Sequence, residues 1–140
     1  MLDCTSYADA CAVSRAASGK ALSVQAWNLV PAIRSLDGAL GEPPTDRVVE
    51  VHPELAFRAM DPGVRDRKGS ARGTVQRLRA LRAVMDVEAA LDDAPVAIPM
   101  VDALDACAAA WSARRLADGR GECVGDGRTD ARGRPMRICW

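Results

Sequence analysis

Aromatic residues are scarce in this 140-residue chain, which has one Phe, one Tyr and three Trp. The apolar fraction is 49%, enough for a core, but Ala, Val and Leu supply most of it. Net charge is absent too, with 19 basic against 19 acidic residues, so no global field draws the chain toward nucleic acid or a membrane. No apolar run approaches the ~20 residues that span a bilayer. The opening stretch, MLDCTSYADACAVSR, contains acids and lacks the basic-then-apolar order of a signal peptide. The five cysteines (Cys4, Cys11, Cys107, Cys123, Cys139) form no Cys-x-x-Cys pair. That excludes a zinc ribbon, argues against a disulfide framework, and predicts free thiols in a reducing, cytoplasmic setting. The length is one domain's worth.

What is present is a lopsided charge pattern. Between Arg58 and Arg82 stand eight basic residues against Asp61 and Asp66, a local balance of +6. From Ala83 to Ala113 there are six acids and neither Lys nor Arg. Such neighbours either neutralise one another in the fold or form a phosphate-facing surface beside a metal site; the first is the commoner outcome.

Spacing predicts a helix from Thr5 to Ser18, stopped by Gly19, and a second one capped by Ser23 and carrying Trp27, Val30 and Ile33. Pro31 falls inside that second pattern and should kink it or mark a first turn. GALGEPPT (38–45) is a break. VVEVHPE (48–54) lies in a strand expected over Arg47 to Val51, closed by Pro53, with a short helix from Glu54 to Met60. A polar loop (61–70) precedes a helix with Val75, Leu78, Leu81 and Met85 on one stripe and its arginines elsewhere. Pro95 and Pro99 bound another loop, and an Ala-rich helix runs from Met100 to about Ala117 with Leu104, Ala108 and Trp111 inward. The tail reads as a hairpin whose last strand is Met136 to Trp140. The strand at 47–51 is apolar on both faces, the mark of a central strand in a parallel sheet. It needs partners, either the tail strands or strands outside this chain.

Five stretches resemble the family known as domain of unknown function 429, whose members are predicted to be ribonuclease-H-like nucleases. SYADACAVSRAASGKALSVQAWNLVPAIRSLD (6–37) is similar to its central helical segment, and VVEVHPELAFRAM (48–60) to its Glu-Val-x-Pro-Glu strand-to-helix signature. RKGSARGTVQRLRAL (67–81) resembles a Lys-Gly- and Arg-containing segment. VDALDACAAAWSARR (101–115) and GDGRTDARGRPMRICW (125–140) resemble its Asp-x-x-Asp-Ala helix and closing hairpin. The resemblance implies the C-terminal part of an α/β ribonuclease-H-like fold, mostly helical with one central strand and a hairpin. The family's opening strand, with its metal-binding aspartate, has no counterpart here. The expectation is one partial domain over 1–140, helical over 1–45, with strand, helices and hairpin over 46–140.

Hydrolysis of a phosphodiester with two divalent metals needs hard oxygen ligands from several elements around ions ~3.5–4 Å apart. Glu50 on the strand and Glu54 past its carboxyl end are candidates, since sites in α/β sheets lie beyond strand carboxyl ends. Asp102 and Asp105, three apart, share a helix face. Together these four are the expected catalytic and metal-binding residues, with Mg²⁺ or Mn²⁺ implied by the resemblance. Each has a plainer role. Glu54 suits a first-turn acid, Glu50 an ion pair with an arginine, and the two aspartates a helix start. Lys68 and Arg72 are the phosphate contacts that the resemblance implies. Lys68-Gly69-Ser70 is only superficially a P-loop fragment. Arg77, Arg79 and Arg82 read as a solvated face paired to the acidic block, Trp27 and Trp111 as core, and His52 stays unassigned.

Three functions follow. The first is a metal-dependent nuclease acting on nucleic acid, truncated and weak or inactive alone. The second is a non-catalytic remnant, or a half that depends on a separately encoded partner or on a second copy. The third is a phosphate- or nucleotide-binding module of the same fold.

Overall fold

A computed structural model describes residues 3–41 and 47–140, a mixed α/β chain that divides into two compact units between Val48 and Val49. Half of the break expected at 38–45 falls on 42–46, outside the described residues. No helix among the described residues is long and apolar enough to cross a membrane.

The first unit is a helix pair whose ends are set by single residues. Ser6 caps α1 (Tyr7–Ser18) by accepting the Asp9 N–H, and Gly19 closes it at φ 73°, a left-handed position that favours glycine. Ser23 caps α2 (Val24–Leu40) in the same way through Ala26. Pro31 lies inside α2, so the Trp27 carbonyl loses its usual donor. The Tyr7 and Trp27 rings stand 6.2 Å apart and the Tyr7 hydroxyl donates to Leu22 O. Trp27 is half-buried rather than fully in a core.

The second unit carries a sheet and four helices among its described residues. These are β1 (Glu50–Val51), α3 (Pro53–Met60), α4 (Ala71–Arg82), α5 (Val87–Asp92), α6 (Met100–Ala117), β2 (Cys123–Thr129) and β3 (Pro135–Cys139). Its core gathers Ala56, Phe57, Val64, Ala80, Leu81, Val87, Leu104 and Ala108, with Trp111 and Trp140 packed against it. The short α5 was not expected from the pattern. Asp86 caps it through the Ala89 N–H, and Val87 is buried.

Three expectations need correction. The strand at 47–51 shrinks to Glu50–Val51 and lies at an edge, because the sheet order is β1-β3-β2 and the tail strand β3 takes the middle. The pairing of β1 with β3 is parallel, as the apolar run implied, but Val48 and Glu50 are exposed and no charge is buried there. Second, the buried face of α4 is Gly73, Arg77, Ala80 and Leu81, while Val75 is exposed. Gly73 is the cause: a Cβ there would stand 2.0 Å from Arg67 O, so its absence lets the 61–70 loop press onto that face and cover Arg77.

Third, Cys123 and Cys139 are joined by a disulfide, leaving Cys4, Cys11 and Cys107 as the free thiols. Glu122 and Trp140 exchange both backbone hydrogen bonds at 2.9 Å, which makes the adjacent 123/139 position a non-hydrogen-bonded antiparallel pair. Such pairs bring Cα atoms closest, here 4.1 Å. The cysteine count therefore carries no argument for a reducing compartment.

At the other end of the hairpin, Asp130 accepts the Arg132 and Arg134 N–H groups through Oδ1 and the Arg134 guanidinium through Oδ2. The Arg134 backbone bond is the main reason its carboxyl lies below the usual carboxylate range, aided by Arg132 and by the Arg134 side chain. A depressed folded-state pKa stabilises above the unfolded value of about 3.9 and is lost as pH falls through the folded one. Protection of the turn amides, taken relative to intrinsic exchange at each pH, should therefore fall once pH drops below about 4, and Asp130→Asn should show that loss already at neutral pH. Equal protection in the variant at pH 7 would remove this role.

Candidate functional site

The charged residues of interest come from two helices and a loop. His52 occupies the N-cap position of α3 without a side-chain cap bond, and Pro53 opens the helix, placing Glu54 in its first turn. Asp102 lies in the first turn of α6 and Asp105 one turn on. Lys68 comes from the loop before α4.

Glu54 is held by Arg77. The guanidinium is 3% exposed; its Nη2 reaches Glu54 Oε2 at 2.6 Å and Oε1 at 2.9 Å. Nη1 donates to Asp66 O and Gly73 O, and the cation lies 5.4 Å from the centre of the Phe57 ring. Among the described residues Arg77 is thus no solvated charge. It is the post around which α3, α4 and the 61–70 loop are tied. Gln76 completes the tie, accepting the Arg65 and Asp66 N–H groups and donating to Asp66 Oδ2.

Asp105 is held by Lys68, with Nζ 2.9 Å from Oδ2. Its other oxygen, Oδ1, is buried without a hydrogen-bond partner. The Asp105 hydrogen bond, then its charge, raises Lys68 above the usual ammonium range, and the fields of Glu54 and Asp102 add to the rise. Asp105 is thus the expected acid that Lys68 touches, while Glu54 and Asp102 act on the ammonium only through their fields. Asp102 is exposed and makes no cap bond, so it only charges the helix start. Glu50 does not join them, standing exposed on β1 opposite Ile138. Arg72, expected at phosphate, contacts Asp66 at 3.3 Å. The basic and acidic blocks do neutralise each other in part, through Lys68–Asp105 and Arg82–Glu88.

The family described as Protein of unknown function (DUF429) matches residues 1–130, which is most of the chain. The protein belongs to that family. No curated protein and no solved structure matches it. In this family member the stretch that resembles the Lys-Gly- and Arg-containing segment supplies both cations of the site, Lys68 and Arg77. Arg77 was the residue that pattern reading missed. The only cue was Gly73 four residues before it on the same face, a gap beside an arginine that a covering loop could fill.

Metal binding is where the arrangement departs from expectation. Among the described residues no group of three or more His, Cys, Asp or Glu is arranged to hold a metal ion. Glu54 spends both oxygens on Arg77, and Asp105 spends one on Lys68. The residues present do not fit Mg²⁺ or Mn²⁺ as two-metal ligands in this arrangement.

Proposed function

We propose that the protein is a ribonuclease-H-like domain of nuclease type whose acidic cluster is compensated from within, so that alone it hydrolyses phosphodiesters weakly or not at all. One observation carries this reading: cations of the chain itself hold two of the acids, Lys68 on Asp105 at 2.9 Å and Arg77 on Glu54 at 2.6 Å, where such chemistry needs a divalent cation. Lys68 cancels charge that would recruit an ion, and Arg77 fixes Glu54 in the fold. Neither polarises a phosphate.

A nucleic-acid partner, if held, meets different cations from those expected. Lys68 and Arg72 are engaged with Asp105 and Asp66. Arg58 and Arg65 line an open cleft of about 360 Å³ with Pro62 and Val64, and neither has a carboxylate partner among the described residues. Two guanidinium groups support loose, salt-sensitive contact with a phosphate backbone, in keeping with zero net charge.

The test is incubation of the pure chain with labelled single- and double-stranded DNA, RNA and hybrids in Mg²⁺ or Mn²⁺. No turnover above a protein-free control is expected. Lys68→Met should uncover the acids and give Mn²⁺ binding with Kd on the order of 10⁻⁴–10⁻³ M, typical of weak carboxylate sites. Efficient turnover by the unaltered protein, abolished by Asp102→Asn, would overturn the proposal.

A further inference from the structure

The disulfide joins two cysteines in opposite surroundings. Cys139 is fully buried on the central strand, whereas Cys123 lies on β2, all seven residues of which are exposed. A nucleophile from solution meets one sulfur and not the other. We propose that the Cys123–Cys139 bridge is a thiol-exchange site, opened by a dithiol reductant that attacks Cys123 and thereby releases β2 from the sheet.

The chemistry is ordinary exchange. A thiolate of the dithiol attacks Cys123 Sγ, the S–S bond breaks, and its electron pair leaves on Cys139 Sγ, which takes up a proton. The reductant's second thiol, as thiolate, attacks the sulfur that the reductant placed on Cys123 and expels the Cys123 thiolate, which is protonated in turn. The reductant ends as a disulfide and the protein as two thiols. The other half-buried thiol of this unit, Cys107, is a poor internal competitor, because burial pushes it above the usual thiol range and lowers its thiolate fraction.

The position of the bridge determines what exchange does. It sits at the open end of the hairpin, beside the Glu122–Trp140 pair and farthest from the Asp130 turn. Register between β2 and β3 is continuous only over 123–125 and then breaks until Thr129 meets Pro135. With no buried side chain on β2, three ladder positions, the Glu122–Trp140 hydrogen bonds and one covalent link hold that end closed. An isolated strand pair of this kind is marginal in water. By contrast β3 is anchored twice, through Trp140 on the helical core and through its parallel pairing with Glu50 and Val51. Reduction therefore frees β2 and leaves β3 in place.

The experiment uses the full chain, alkylated in denaturant and weighed intact. Without reductant three cysteines should be modified, Cys4, Cys11 and Cys107. After dithiothreitol treatment of the folded protein all five should be modified. Hydrogen exchange at 123–129 should then be about 100-fold faster, the scale of losing a link that closes a loop of this length, with α3, α4 and α6 unchanged. Cys123→Ser, a substitution at an exposed position, should reproduce that pattern without reductant, and oxidised dithiothreitol should restore protection to the unaltered chain but not to the variant. Five modified cysteines without reductant would show that no bridge forms. A bridge that yields only after denaturation would be a fixed staple, and unchanged exchange at β2 after reduction would mean that the bond restrains nothing. Any of the three would overturn the proposal.

Discussion

Glu54→Ala is expected to destabilise the second unit by about 3 kcal/mol, more than removal of its partner does. The asymmetry comes from burial. Taking away Glu54 leaves the Arg77 guanidinium at 3% exposure with only two carbonyls and a ring to face, whereas Glu54, with a side chain 30% exposed, can turn to water if Arg77 is lost. Arg77→Met keeps most of the volume and removes the charge, so a smaller loss of about 1–2 kcal/mol follows from the unpaired Asp66 and Gly73 carbonyls. The double variant should recover part of the Glu54→Ala loss, with a coupling energy of about 1–3 kcal/mol. Urea unfolding midpoints at unchanged slope measure all three. Were Glu54→Ala neutral in stability, the carboxylate would be free for another task and the proposal of an internally compensated site would lose its main support.

Phe57→Ala should cost about 3–5 kcal/mol, against a total stability of about 5–15 kcal/mol for a typical domain. Phe57 is fully buried at the centre of the core cluster and also carries the Arg77 cation over its ring. Two losses coincide, a cavity among Val64, Leu81 and Leu104 and a desolvated cation–π contact of about 0.5–2 kcal/mol. Phe57→Leu separates them, since it refills much of the cavity but offers no ring, and about 1.5–2.5 kcal/mol is expected. For a unit of this size each kcal/mol lowers Tm by about 4–8 °C, so thermal unfolding followed by circular dichroism should place Phe57→Ala at least ~12 °C below the unaltered chain. A drop under ~4 °C would mean that the core closes around the gap and that Phe57 is not its keystone.

These variants also mark where reading the sequence stopped working. Spacing placed Asp102 and Asp105 near the start of one helix and Glu54 at the start of another, and of these Asp105 meets Lys68 and Glu54 meets Arg77. It misassigned Glu50, because three valines around a glutamate look the same in a buried central strand and in a two-residue edge strand. Arg77, Arg79 and Arg82 were read as one solvated face paired to the acidic block. Charge alone gives no reason to bury Arg77; Gly73 and Glu54 do, one by admitting the loop and the other by offsetting the cation.

The sequence by itself determined the features that depend on a few adjoining residues. Ser6 and Ser23 start helices, Gly19 ends one, and Asp130 with Gly133 turns the hairpin, since each satisfies backbone groups within four residues of itself, while Pro53 opens another helix through its fixed φ. Only the tertiary structure decided which strand is central, that Cys123 meets Cys139, and that Glu54 and Asp105 are answered by Arg77 and Lys68. Those partners lie 16 to 37 residues apart. A local pattern shows that a side chain has a face to present, but what that face meets is fixed by the packing of the whole unit.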